Sequence, residues 1–219
     1  SSDGKQILFS TQMGRELFYA DNTEFAVIPA SGGEIKVLTA AFDENPGFVE
    51  WNASGIYFSA LQKTAGHLFR LDPSSSNITR VSQPDALIAS SFSFTNDGKT
   101  IAFAASSPTS LREIYISDAR TFSPKKLTST TDQVKNFILG TRELISWKSQ
   151  DGTEIEGVLI KPHDFDPAKK YPLLCAIHGG PTGIDRPELL SDGRRYYPLD
   201  IWVGRGALVL LVNYRGSAG

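Results

Sequence analysis

Asp3-Gly4-Lys5-Gln6-Ile7-Leu8-Phe9 and Asp97-Gly98-Lys99-Thr100-Ile101-Ala102-Phe103 are two copies of one pattern, a tight turn feeding a short apolar strand. A degenerate copy, Ala53-Ser54-Gly55-Ile56-Tyr57-Phe58, lies between them. Anchored on Ile7, Ile56 and Ile101, the pattern recurs every 45 to 50 residues or so. The turn has a physical basis, because Gly accepts the positive φ of a tight hairpin and Asp bonds its own backbone. After each anchor strand comes a second apolar segment (Phe25-Ala26-Val27-Ile28, Leu68-Phe69-Arg70-Leu71, Ile114-Tyr115-Ile116), then a polar turn and a third (Lys36-Val37-Leu38-Thr39, Thr79-Arg80-Val81-Ser82, Lys126-Leu127-Thr128). Short alternating strands at this period predict β-propeller blades, about three of them, over residues 1–138.

The pattern changes from residue 139. Residues 143–149 and 155–162 predict a hairpin around Asp151-Gly152, followed by a Pro- and Lys-rich connection at 163–170. Residues 171–177 and 206–212 are then continuously apolar, which predicts strands buried on both faces of an α/β sheet. Pro187, Gly193 and Pro198 leave room only for a short or broken helix between them. Open α/β sheets carry their chemistry beyond the carboxyl ends of the strands. There stand His178-Gly179-Gly180-Pro181 and Asn213-Tyr214-Arg215-Gly216. The fold class expected is a partial β-propeller (1–138) followed by the N-terminal strands of an open α/β sheet (139–219), compatible with an α/β-hydrolase domain. The chain opens directly on a turn and strand and closes on a polar, Gly-rich loop, and reads as the middle of a longer polypeptide.

Composition excludes several classes of function. Lys and Arg total 22 against 24 Asp and Glu, a net charge of −2 that offers no electrostatic ground for a nucleic-acid or anionic-membrane partner. The longest apolar run, 207–212, is far short of the ~20 residues a bilayer span requires. Cys175 has no partner for an internal disulfide, and in its apolar strand it reads as an inert core thiol. His67, His163 and His178 stand too far apart for a metal site, so no metal or organic cofactor is implied. A lone buried thiol suits the cytoplasm, with a periplasmic or secreted location as the alternative. Phe9, Trp51, Phe58 and Phe103 read as blade core. Glu16, Glu24 and Glu50 could bind a substrate amine from a blade rim, against the blander reading of solvated carboxylates.

Two consecutive glycines at a strand end let the backbone approach a ligand with its N–H groups outward. In α/β-hydrolases such a loop gives one donor of the oxyanion hole, the other coming from the residue after the nucleophilic serine. Gly180 and Gly179, with His178, are thus the candidate catalytic loop. His178 precedes any nucleophile in chain order, which is wrong for a triad base, so its expected task is to shape the loop. His163 is expected in solvent; Arg215 could meet a substrate carboxylate, against the blander reading of a buried brace for loops around the active site.

Together these motifs resemble the prolyl oligopeptidase family of serine peptidases, particularly its acylaminoacyl- and dipeptidyl-peptidase branches. The resemblance covers the whole chain and is carried by His178-Gly179-Gly180-Pro181 followed by Asn213-Tyr214-Arg215-Gly216-Ser217. It implies a propeller capping a hydrolase domain, with the active site in the cavity between, and hydrolysis of short peptides near the N-terminus through an acyl-enzyme. It also implies an oxyanion donor at Gly180, as in acylaminoacyl-type members. No Gly-x-Ser-x-Gly occurs, so nucleophile, acid and base are expected beyond residue 219, and the chain alone is expected to be inactive. The competing readings are a propeller-based binding or scaffold protein with a degenerate hydrolase domain and, ranked last, an esterase or lipase. The expected partner is a short peptide substrate; homo-oligomerisation is left open.

Overall fold

The computed structural model describes residues 1–14, 21–83, 87–180, 182–191 and 198–219. Glu16, Pro181 and Gly193 lie outside the described residues. Three small antiparallel sheets come first in chain order. The first holds β1 (Gln6–Thr11), β2 (Glu24–Pro29) and β3 (Lys36–Val37). The second holds β4 (Gly47–Asn52), β5 (Gly55–Gln62), β6 (Ala65–Leu71) and β7 (Ile78–Arg80). The third holds β8 (Ile88–Phe94), β9 (Thr100–Ser107), β10 (Ser110–Asp118) and β11 (Lys125–Lys126). Each is a meander in which sequential strands are neighbours, the arrangement of propeller blades.

The Asp-Gly turns are built alike at three places. Asp3 Oδ1 accepts the Lys5 N–H at 3.1 Å and the Ser1 hydroxyl at 2.7 Å. Asp97 Oδ1 accepts the Lys99 N–H at 3.1 Å and the Thr95 hydroxyl at 2.7 Å. Asp151 Oδ1 accepts the Thr153 N–H at 3.1 Å and the Ser149 hydroxyl. The glycines that follow have φ of +69°, +68° and +83°, where a side chain would be strained. A hydroxyl two residues before the aspartate is thus part of the turn, and it makes Ser/Thr-x-Asp-Gly the full local signal.

Strands β5 and β6 have neighbours on both sides, and their apolar residues Ile56, Phe58, Phe69 and Leu71 form a core with Phe25, Val27 and Leu38. Phe42 sets its edge against Phe58 and Phe69 at centroid distances of 5.2 and 5.1 Å. In the third sheet Phe103 is stacked by Phe92, Tyr115 and Phe122 at 5.3 to 5.4 Å. Phe58 and Phe103 are core, as expected; Trp51 is half-buried against the first cluster, and Phe9 is half-buried.

A fourth sheet follows, in the order β12 (Thr141–Lys148), β13 (Glu154–Lys161), β15 (Leu208–Asn213), β14 (Leu173–Ile177). The hairpin β12–β13 and the β13–β15 pair are antiparallel, while β14 and β15 run parallel. Helix α1 (Leu199–Gly204) is short, starting after Pro198 and ending before Gly206 at φ of +88°, and seats Leu199 and Val203 on Val158, Ile160, Val209 and Leu211. Buried Arg142 of β12 pairs with Asp200 in the first turn of α1, and Asp200 also accepts the Ser191 N–H at 3.0 Å. This mixed sheet with a helix packed on it follows the blade-like sheets in chain order.

One expectation is overturned here. Cys175 is exposed, and with it Leu173, Leu174 and Ile177 of β14. β14 is the edge strand of its sheet, and among the described residues nothing covers the face carrying Leu173, Cys175 and Ile177. An apolar run states what a strand can bury, not whether a neighbour is there to bury it.

By packing, the chain forms two compact units, residues 1–104 and 114–127 with Gly219, and residues 105–113 with 128–218. The second contains a buried carboxylate with no cation paired to it among the described residues. Glu113 accepts the Thr128 hydroxyl at 2.5 Å, the Thr130 N–H at 2.9 Å, and the Thr131 N–H and hydroxyl at 2.8 and 2.6 Å. Burial alone would push this carboxyl up, but the hydroxyls of Thr128 and Thr131 and the backbone donors outweigh it and hold the group well below the usual carboxylate range. Glu113 thereby satisfies the start of the 3₁₀ turn at Thr130–Val134, where backbone donors lack intrahelical partners. Among the described residues no helix is long and apolar enough to cross a membrane.

Candidate active site

Parallel pairing sets the site's geometry. Leu173 faces Leu208 and Ile177 faces Val212, so both strands end at the same level and the loops from 178 and 213 leave side by side. Asn213 locks one to the other: its Oδ1 accepts the Asp185 N–H at 2.8 Å and its Nδ2 donates to the Asp185 carbonyl at 2.9 Å. The Ala218 N–H reaches the Gly183 carbonyl at 3.4 Å.

His178 is the hub. Its ring stacks on Tyr214 at a centroid distance of 4.6 Å, and the Tyr214 hydroxyl donates to the His178 carbonyl at 3.0 Å. Nδ1 lies 3.0 Å from the Gly179 carbonyl and Nε2 lies 3.1 Å from Ser217 Oγ. Gly183 is the residue that admits the ring, since a Cβ there would stand 2.8 Å from Nδ1 and 2.5 Å from the Gly179 oxygen.

Gly180 lies past the end of β14, is exposed, and has φ of +140°. A Cβ at this position would sit 2.5 Å from the Gly183 nitrogen, whereas one at Gly179 would meet nothing within 4 Å. The two glycines are therefore not equivalent: Gly180 is required by the backbone, Gly179 is not. Neither N–H is bonded to the backbone of a described residue. Two exposed amides at a strand end can donate to an anionic oxygen.

Other candidates fall elsewhere. Arg215 is not buried as expected; its side chain is 61% exposed and pairs with Asp151 at 2.5 Å, bracing the β12–β13 turn. The Ser149 hydroxyl, the Thr153 donors and Arg215 hold the Asp151 carboxyl well below the carboxylate range. His163 is exposed, 3.9 Å from Asp164. Glu24 is half-buried in β2 of the first unit. Glu50, also half-buried, lines an open cleft of about 700 Å³ with Phe9, Phe25, Phe48 and Trp51. The roles of Asn213, Tyr214 and Ser217 were invisible in sequence, because they depend on the parallel register that sets the two loops together.

No protein-family model matches the chain. A dipeptidyl-peptidase 5 of Trichophyton equinum is 27% identical over 225 aligned positions, covering 100% of this chain and 30% of that protein. The similarity runs over the whole chain and agrees with the resemblance to the prolyl oligopeptidase family. Among solved structures, the Pyrococcus horikoshii acylaminoacyl peptidase superimposes with a TM-score of 0.75 at 20% identity, over 99% of this chain and 32% of the other. Dipeptidyl peptidase 4 of Porphyromonas gingivalis does so with 0.73 at 16% identity, over 98% and 30%. The chain thus spans about a third of the length of the proteins it matches.

Proposed function

We propose that the full-length protein carrying this chain is a serine-type peptidase that hydrolyses short peptides near the N-terminus, in the manner of an acylaminoacyl- or dipeptidyl-peptidase. Residues 1–138 are its C-terminal propeller blades, and 139–219 are the first strands and oxyanion loop of its hydrolase domain. The observation that carries this reading is the loop after β14, where Gly180 holds a conformation only glycine tolerates and keeps its N–H out of the sheet ladder. In the mechanism that follows, a serine attacks the scissile carbonyl and a histidine takes its proton. The carbonyl oxygen becomes negative and is held by the Gly180 N–H and by the amide after the nucleophile. The histidine returns the proton to the leaving amine, and water hydrolyses the acyl-enzyme.

With no Gly-x-Ser-x-Gly in residues 1–219, nucleophile, acid and base are assigned to other parts of the full-length protein, and the isolated chain is assigned no turnover. The substrate proposed is a short peptide with a free or blocked N-terminus. The location proposed is the cytoplasm, which the unpaired Cys175 fits, with periplasm or secretion as the alternative. Incubating the full-length protein with a fluorophosphonate and with dipeptidyl- and acyl-aminoacyl-nitroanilides tests the reading. One labelled serine and turnover of at least one substrate class are expected; a protein that neither labels nor turns over either class refutes it.

A further inference from the structure

We infer that His178, Tyr214 and Ser217 form a clamp that fixes the direction of the Gly180 N–H, with the Ser217 hydroxyl setting the proton arrangement the clamp needs. This rests on the reading of Gly180 as an oxyanion donor. The Gly179 carbonyl and the Gly180 N–H belong to one planar peptide and point in opposite directions. Whatever fixes the carbonyl therefore fixes the N–H. Flanked by two glycines, this plane has no side chain of its own to resist rotation, and a Cβ at Gly179 would touch nothing. His178 Nδ1, 3.0 Å from the Gly179 oxygen, supplies the restraint.

A carbonyl oxygen only accepts, so Nδ1 must carry a proton for this bond to exist. In a neutral imidazole Nε2 is then an acceptor, and it needs a donor. Ser217 Oγ, 3.1 Å away, is that donor. The Tyr214 carbonyl, which Oγ also reaches at 2.7 Å, is served in addition by the Ser217 N–H at 2.9 Å, so the hydroxyl proton can go to the ring. Tyr214 completes the clamp by stacking on the ring and by donating to the His178 carbonyl at 3.0 Å, which fixes the preceding peptide plane as well. His178, Tyr214 and Ser217 are assigned as positioning residues that act through the Gly179–Gly180 peptide.

The test is steady-state kinetics of the full-length enzyme on its best nitroanilide. Ser217→Ala and Tyr214→Phe each lower kcat about tenfold, a fraction of what deleting a donor costs, with KM and melting temperature unchanged. Ser217→Thr, which keeps the hydroxyl, stays within about threefold of wild type. The double variant loses no more than about threefold beyond either single one, because both act on the same peptide plane. A Ser217→Ala enzyme with kcat within twofold of wild type overturns the inference. So does a loss that tracks a lowered melting temperature and appears equally in Ser217→Thr. An inactive wild type instead removes the oxyanion reading beneath it, a result distinguishable because the wild type is the control.

Discussion

Strands β5 and β14 have similarly apolar sequences and opposite fates. β5 lies between β4 and β6, and Ile56 and Phe58 are completely buried within a core drawn from two sheets. β14 is an edge strand, and Ile177 is 68% exposed. The β5 side chains are covered by Phe25, Val27 and Leu38 of the neighbouring sheet, whereas the face of β14 carrying Leu173, Cys175 and Ile177 meets no cover among the described residues. Beyond β14 and β15 the loops are tied to each other by side-chain hydrogen bonds.

The largest expected effect separates the two glycines of the loop. In the full-length enzyme Gly180→Ala lowers kcat/KM about a hundredfold, the cost of losing one oxyanion donor, because its Cβ collides with the Gly183 nitrogen. Gly179→Ala, with open space around it, lowers the same constant by less than tenfold. Equal losses at both positions would break the distinction.

Next come the two strands. Ile56→Ala lowers unfolding free energy by about 3 kcal/mol, the cost of a large-to-small change in a closed core. Ile177→Ala, exposed in this chain, changes it by less than about 0.5 kcal/mol. Urea titrations of the two variants of the 1–219 chain give the comparison, and an equal loss would mean that β14 is covered.

Two carboxylates sharpen the same contrast. Glu113→Gln costs about 2 kcal/mol, because an amide cannot accept from every donor around it and at least one buried N–H loses its partner. Asp3→Asn, in an exposed turn, leaves the urea midpoint close to that of wild type. The Glu113 carboxyl is lowered in the folded state, so its contribution is complete above the unfolded value and declines as pH falls through the folded one. The gap between wild type and Glu113→Gln therefore narrows below about pH 4, which urea midpoints at pH 6 and pH 3.5 measure; a constant gap would mean that folding does not lower the carboxyl's pKa.

The features legible in sequence were those with local causes. Asp-Gly turns announce themselves because the aspartate bonds residues two positions away, and the repeat they punctuate gives the blades. β4 and β8 escaped notice: the Gly47–Asn52 stretch mixes polar and apolar residues, and Ile88–Phe94 alternates serine with phenylalanine, so neither has the apolar content of the anchor strands. Cys175 was misplaced because exposure depends on a cover that no local pattern encodes. At the site, the glycine loop could be read directly. The lock of Asn213 on Asp185 and of Ser217 on His178 could not, since it joins residues 28 and 39 positions apart through a parallel register.

A crystal structure of the full-length protein with its nucleophilic serine trapped as a phosphonate adduct puts an anionic oxygen where the tetrahedral intermediate would have one. That oxygen is expected 2.7–3.1 Å from the Gly180 nitrogen. An adduct whose oxygen lies beyond hydrogen-bond reach of Gly180, with that N–H turned onto a backbone carbonyl, would contradict the account.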